Sequence, residues 1–230
     1  DEWGGIGLVD LVVESAVLRQ RLELARSVKV NGVNKKKSLD IAKLDDAHGV
    51  NKSGLVCTLI LTEGDSAKAL AVSGLEVLGR ETFGIFPLRG KLLNVRDVSF
   101  DKLRQNEEVN HLCQIIGLEF DKTYETREER EGLRYGRVML MTDQDADGSH
   151  IKGLVINFFR YFWPALLHPP KLQPHDGHVN QDDDDGSYNF PFLSQFRTPL
   201  LKASNMKQRK DVRSFYSLKE YEKWKEEVGD

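Results

Sequence analysis

LMTDQDADGSH, residues 140–150, joins the end of an apolar run to a cluster of acids and the start of a helix. The apolar residues 138–141 predict a strand, and Asp143, Asp145 and Asp147 follow at alternate positions just beyond it. Carboxylates at the mouth of a strand can converge on one point, and like charges this close repel unless a positive group sits among them. The pattern points to a divalent metal. Downstream, Ile151, Leu154, Val155, Phe158, Phe159 and Phe162 have helical spacing and predict one long buried helix reaching residue 167.

A second acidic position matches the first. Residues 56–62 (VCTLILT) predict another strand, which ends in Glu63-Gly64-Asp65-Ser66-Ala67 before a helical stretch over residues 66–78, with Asp65 as its candidate cap. Ligands of open α/β sheets sit outside the carboxyl ends of the strands, so Glu63 and the Asp-x-Asp-x-Asp run could line one all-oxygen pocket suited to Mg²⁺. Taken alone, Glu63 is equally well read as an acid favouring the N-terminus of the next helix. Asp143 to Gly148 also match the opening of an EF-hand loop, but such a loop needs a bidentate Glu at its twelfth position, where this chain has Leu154. An EF-hand loop also follows a helix, whereas this cluster follows a strand.

Elsewhere, residues 8–28 read as an amphipathic helix, followed by a basic stretch ending in Lys35-Lys36-Lys37, and residues 38–55 read as irregular. Residues 83–88 (FGIFPL) predict a strand with Arg89-Gly90-Lys91 at its end. Residues 101–117 predict a helix, and residues 123–131 a charged, exposed segment. Strand and helix signals alternate, which implies a largely parallel sheet with helices on both faces. Composition changes after His168: five of the seven prolines lie beyond it and residues 182–185 are four consecutive Asp, so residues 169–189 read as a mobile insertion. Order returns over residues 190–201 and 215–225, where Phe215, Leu218, Tyr221 and Trp224 could pack.

With 40% hydrophobic and 30% charged residues the composition is that of a soluble globular protein, and no apolar run approaches the roughly 20 residues that span a bilayer. The absence of a secretory signal fits an intracellular protein without a membrane partner. The two cysteines, Cys57 and Cys113, support neither a disulfide framework nor a zinc site. A net charge of −3 argues against binding nucleic acid through overall charge, so any such contact needs a local basic patch or a metal.

Three blocks in order, EGDSA (63–67), FPLRGKLLNV (86–95) and TDQDADGSH (142–150), resemble the Toprim region of eukaryotic type II DNA topoisomerases, with KALAVSG (68–74) and Gln144 closer to the eukaryotic than to the gyrase pattern. The resemblance implies an α/β, Rossmann-like Toprim fold: a mostly parallel sheet with helices on both faces, a helical N-terminal segment and a small C-terminal extension. The expected divisions are residues 1–56, a metal-binding domain over 57–174, and a flexible insertion with extension over 175–230. It implies that Glu63, Asp143 and Asp145 hold one or two Mg²⁺ ions, with Asp147 as a supporting ligand, and gives Glu63, Arg89 and Lys91 catalytic roles. Arg89, Lys91 and Asn94 would face DNA phosphates near the scissile bond. The implied partners are double-stranded DNA, the remaining topoisomerase domains in cis or trans, and a second copy in a homodimeric, ATP-dependent, nuclear parent enzyme.

Departures from the family bound this reading. No GxxxxGK[ST] loop provides a nucleotide site, and the family's nucleophilic tyrosine has no counterpart in this chain. Arg134-Tyr135 and Arg160-Tyr161 copy its Arg-Tyr pairing but lie inside the Toprim-like segment, where structural roles are expected. The chain alone is therefore expected to be inactive in cleavage, as a fragment or a reduced paralogue. Two alternatives remain at this stage. A haloacid-dehalogenase-like phosphatase also opens its site with Asp-x-Asp after a strand but gives EGDSA and PLRGK no role. A non-catalytic Toprim paralogue could serve as a chromatin or DNA interaction module.

Overall fold

The computed structural model describes residues 39–96, 98–170, 190–204 and 212–228, together with Ala16, Arg19 and Glu23, which are helical. The expected helix over 8–28 and the insertion over 169–189 lie otherwise almost wholly outside the described residues.

The run TLILTE forms β1 (Thr58–Glu63), whose first five residues are all buried, as a central strand covered on both faces requires. It is flanked in parallel by β2 (Phe83–Leu88) and β3 (Arg137–Met141), and β4 (Leu193–Gln195) adds in parallel beyond β3, giving the order β2-β1-β3-β4. The period-2 alternation of strands divides the core. Ile60 and Ile85 face helix α1 (Gly64–Leu78), which buries Ala71 and Leu75 against them. Leu59, Leu61, Phe86, Leu88, Val138 and Leu140 face the opposite side. There they meet α3 (Glu107–Ile116) and α5 (Ala146–Phe162), with Leu112, Ile116, Val155 and Phe158 among the partners. The fold is thus α/β with helices on both faces of a parallel sheet.

Chain direction across this sheet positions the site. From β1 the chain crosses through α1 to β2 on one side, then returns through α2 (Phe100–Arg104), α3 and α4 (Arg127–Arg130) to β3 on the other. The order reverses between β1 and β3, and such a switch point opens a crevice at the carboxyl ends of the two strands. Glu63 ends β1, and Asp143 lies two residues beyond β3.

Several sequence expectations are corrected. The single helix over 101–117 is two, because Asn106 accepts the Val109 amide as an N-cap and starts α3 anew, while Gly117 at φ +82° ends it. The long helix stops at Phe162: the following Pro164 disfavours helical backbone at Trp163, and residues Pro164–Leu167 form a 3₁₀ turn. Asp65 does not cap α1; Glu63 holds the cap position without a side-chain bond, and Gly64 makes the turn at φ +75°. The charged segment 123–131 is not uniformly exposed. Tyr124 is fully buried, and the buried Arg130 donates to the carbonyls of Tyr124, Ala165 and His168, tying α4 to the 3₁₀ turn. Within the segment expected to be irregular, residues 39–55 are more regular than expected, since Asp45 exchanges two backbone hydrogen bonds with Ile85 at the edge of β2.

The boundary expected at residue 174 divides the sheet, because β4 lies beyond it and hydrogen-bonds to β3. A second, two-stranded antiparallel sheet of β5 (Leu201–Ser204) and β6 (Val212–Phe215) is followed by α6 (Leu218–Val228). Phe215, Tyr221 and Trp224 stack there as expected, whereas Leu218 is exposed.

Candidate metal centre

The β1/β3 register sets Thr62 opposite Met141, so the residues just beyond stand side by side. The Asp143 amide accordingly donates to Glu63 Oε2 at 3.4 Å, across 80 residues of sequence. Glu63 is half-buried, and Asp143, Asp145 and Asp147 are exposed. Gly148 makes this packing feasible: it is buried, and a Cβ there would overlap the Asp143 carbonyl oxygen, so only glycine lets α5 start this close to the strand end.

The four acids share one edge of the sheet but are engaged differently. Asp145 is the N-cap of α5, accepting the Gly148 amide at 2.7 Å. Asp147 accepts an ion pair from Lys91 Nζ at 2.8 Å, and that hydrogen bond holds its carboxyl below the usual carboxylate range. As these side chains stand, no three acidic, histidine or cysteine groups among the described residues are gathered closely enough to hold a metal ion. Adjacent like charges repel, and here each takes the nearest positive partner, an amide dipole for Asp145 and an ammonium for Asp147. The chemistry of the set nevertheless fits Mg²⁺: Glu63, Asp143 and Asp145 supply oxygen donors only, at solvent-accessible ends of two hydrogen-bonded strands.

The cations divide. Lys91 reaches the acidic edge, but Arg89 turns the other way, its Nη1 3.4 Å from Glu107 Oε2 at the start of α3. Asn94 Oδ1 accepts from Asn157 Nδ2 of α5 at 3.0 Å, which ties the loop after β2 to that helix. Sequence reasoning missed a second ring of charge around the start of α1. Lys43 pairs with Asp65 at 2.7 Å, and Lys68 bridges Asp45 at 2.8 Å and the Lys43 carbonyl. These contacts join positions more than 20 residues apart, so local sequence carries no sign of them.

The two Arg-Tyr pairs differ: Arg134 and Tyr135 are buried, as expected of structural residues, whereas Arg160 and Tyr161 are exposed on α5. Tyr135 is fully buried, and its hydroxyl donates to Asp46 Oδ1 at 2.5 Å and accepts the Ala47 amide, while burial raises its pKa. Arg134 is buried and donates to Asp46 and to the Ile115 carbonyl. Tyr161 packs edge-on against Phe162 on α5. A cleft of about 190 Å³ lies at the opposite end of the sheet, lined by Leu55, Leu133, Gly136 and Phe192 among others, far from the acids.

Against known proteins, a family model described as Toprim domain matches residues 58–179. DNA topoisomerase 2 of Drosophila melanogaster is 46% identical over 225 residues, covering 97% of this chain and 14% of that protein. DNA topoisomerase 2-alpha of Gallus gallus is 44% identical over 222 residues, 96% of this chain and 13% of that protein. Among solved structures, the topoisomerase II DNA-binding, cleavage and re-ligation domain of Plasmodium falciparum superposes with a TM-score of 0.67 at 43% identity, covering 84% of this chain and 23% of that one. The chain therefore spans about one seventh of the curated relatives it matches. The matched region contains EGDSA, PLRGK and the acidic cluster together, which the phosphatase alternative left without a common role.

Proposed function

We propose, from the premise that this chain belongs to the Toprim domain family, that it forms the Mg²⁺-binding part of an ATP-dependent type II DNA topoisomerase. The observation that carries the reading is the placement of Glu63 beside Asp143 at the β1/β3 switch point. Glu63, Asp143 and Asp145 would hold the ion, with Asp147 in support. When bound, Mg²⁺ would supply positive charge to a phosphodiester during double-strand cleavage and religation.

The chain's own residues would bind and orient the DNA backbone. Lys91, on the loop after β2, lies within reach of both the acidic edge and solvent, so it can exchange Asp147 for a phosphate oxygen at little cost, since an exposed ion pair is weak. Arg89 would leave Glu107 for a neighbouring phosphate in the same way. Asn94, anchored on Asn157, would fix the far end of the loop. The attacking tyrosine would come from elsewhere in the parent enzyme; within this chain Tyr124 and Tyr135 are fully buried with their hydroxyls bonded, and the exposed Tyr161 and Tyr216 lie on α5 and just after β6. ATP use, a homodimeric assembly and action on nuclear DNA enter this reading through the family resemblance of the three sequence blocks. A chain lacking its own nucleophile would not relax or cleave DNA unaided.

The test is Mn²⁺ binding, followed by the loss of the free-ion electron paramagnetic resonance signal, in the chain and in Glu63→Gln and Asp143→Asn. Each substitution should weaken binding at least tenfold while leaving the circular dichroism spectrum unchanged. Equal binding by all three proteins would refute the assignment.

A further inference from the structure

The loop that carries Arg89 and Lys91 has little backbone structure of its own. Between Arg89 and Leu93, no turn or cap hydrogen bond links its backbone to other backbone among the described residues. Gly90 takes φ +106°, a conformation that side-chain-bearing residues rarely adopt, so the chain reverses sharply between the two cations. Leu92 and Val95 are buried and anchor the loop's far half. The backbone of its near half is tied to α3: the Arg89 amide donates to Glu108 Oε1 at 2.8 Å.

Glu108 is well placed to hold it. It lies in the first turn of α3, next to the Asn106 cap, on a helix fixed by the buried Val109, Leu112 and Cys113. Its neighbour Glu107 meets the Arg89 side chain rather than the backbone. A hydrogen bond from an amide to a charged acceptor is stronger than a neutral one and defines direction. With Arg89 N fixed to α3 and Gly90 turning the chain, Lys91 is delivered to Asp147 across the crevice.

We propose that Glu108 is a positioning residue for the Arg89–Lys91 loop, its carboxylate acting through the Arg89 amide to aim Lys91 at the acidic edge. This rests on the reading of Lys91 as a phosphate contact, and it assigns α3 the role of a fixed bracket for that loop. A purely local role, an acid favouring the N-terminus of α3, would leave the loop indifferent to this residue.

The test uses the whole chain, with hydrogen exchange of the Arg89 amide and the salt dependence of binding to a short DNA duplex. Glu108→Ala should speed Arg89 exchange at least tenfold and lower the slope of log K against log salt by about one, the equivalent of one phosphate contact. Glu108→Gln keeps an acceptor oxygen and should restore both values to near those of the parent. Glu107→Ala, which touches only the arginine side chain, should leave the Arg89 amide protected. Unchanged exchange in Glu108→Ala would overturn the proposal. So would faster exchange with an unchanged salt slope, provided that Lys91→Ala lowers that slope. If Lys91→Ala leaves the slope unchanged, the phosphate-contact reading fails instead, and with it this role for Glu108, whatever the amide exchange shows.

Discussion

Replacing Asp46 by Asn probes the contact that joins the segment before β1 to the segment before β3. The Asp46 carboxylate receives Arg134 Nη2 and the Tyr135 hydroxyl, each at 2.5 Å. The Arg134 side chain is 2% exposed and that of Asp46 20%, so solvent cannot replace what is lost. Removing one partner of a buried ion pair costs roughly 3–5 kcal/mol, because the remaining charge stays uncompensated. Asn retains one acceptor oxygen and Asp46 is not wholly buried, which places the expected cost near 3 kcal/mol, at the lower end. That lowers the folding constant more than about 100-fold. At about 2–4 °C per kcal/mol for a domain of this size, Tm should fall by about 6–12 °C. Urea unfolding and calorimetry measure it directly. The control is Lys122→Ala, which breaks a 2.6 Å but half-exposed pair with Glu119 and should cost about 1 kcal/mol or less. An Asp46→Asn protein within about 0.5 kcal/mol of the parent, or a control that costs as much, would refute the reasoning.

Tyr135→Phe should cost about 1–2 kcal/mol by urea unfolding, since the buried Ala47 amide loses its acceptor. Gly148→Ala should force α5 away from the Asp143 carbonyl and weaken Mn²⁺ binding at least tenfold, measured by titration, in a protein that still unfolds cooperatively. Burial, with Asp46 nearby, pushes the Cys57 thiol up to about 11 from its ordinary 9.0. The folded chain therefore keeps Cys57 protonated where the unfolded chain ionises it. The stability this gives is fully present below pH 9 and is lost as pH rises towards 11. Urea midpoints should fall across that window, and less steeply in Cys57→Ala, while alkylation of Cys57 at pH 8 should require unfolding.

The strands that carry the acids were readable because each is a short apolar run with an abrupt polar end, so Glu63 and Asp143 could be placed at strand mouths before any pairing was known. Their adjacency follows from strand order, which local pattern does not carry and the pairing of β1 with β3 supplies. The break at Gln105 was also visible in principle: Asn106 followed by Glu107 and Glu108 is a helix-start signature inside a run that apolar spacing alone reads as continuous. Arg130 could not be foreseen as buried, because its carbonyl partners at Ala165 and His168 come from a turn created by Pro164. Asp46 and Arg134, 88 positions apart, give no local sign of their pairing. The direction of Arg89 was likewise hidden: the sequence marks it as a cation at a strand end, and only the packing of α3 beside that end offers it Glu107.

The measurement that bears most directly on the central claim is anomalous diffraction from crystals of the chain grown with Mn²⁺. The account predicts a peak at the carboxyl ends of β1 and β3, bounded by Glu63, Asp143 and Asp145, with Lys91 at its margin. A peak elsewhere, or none at saturating Mn²⁺ while Asp145 keeps the Gly148 amide and Asp147 keeps Lys91, would contradict it.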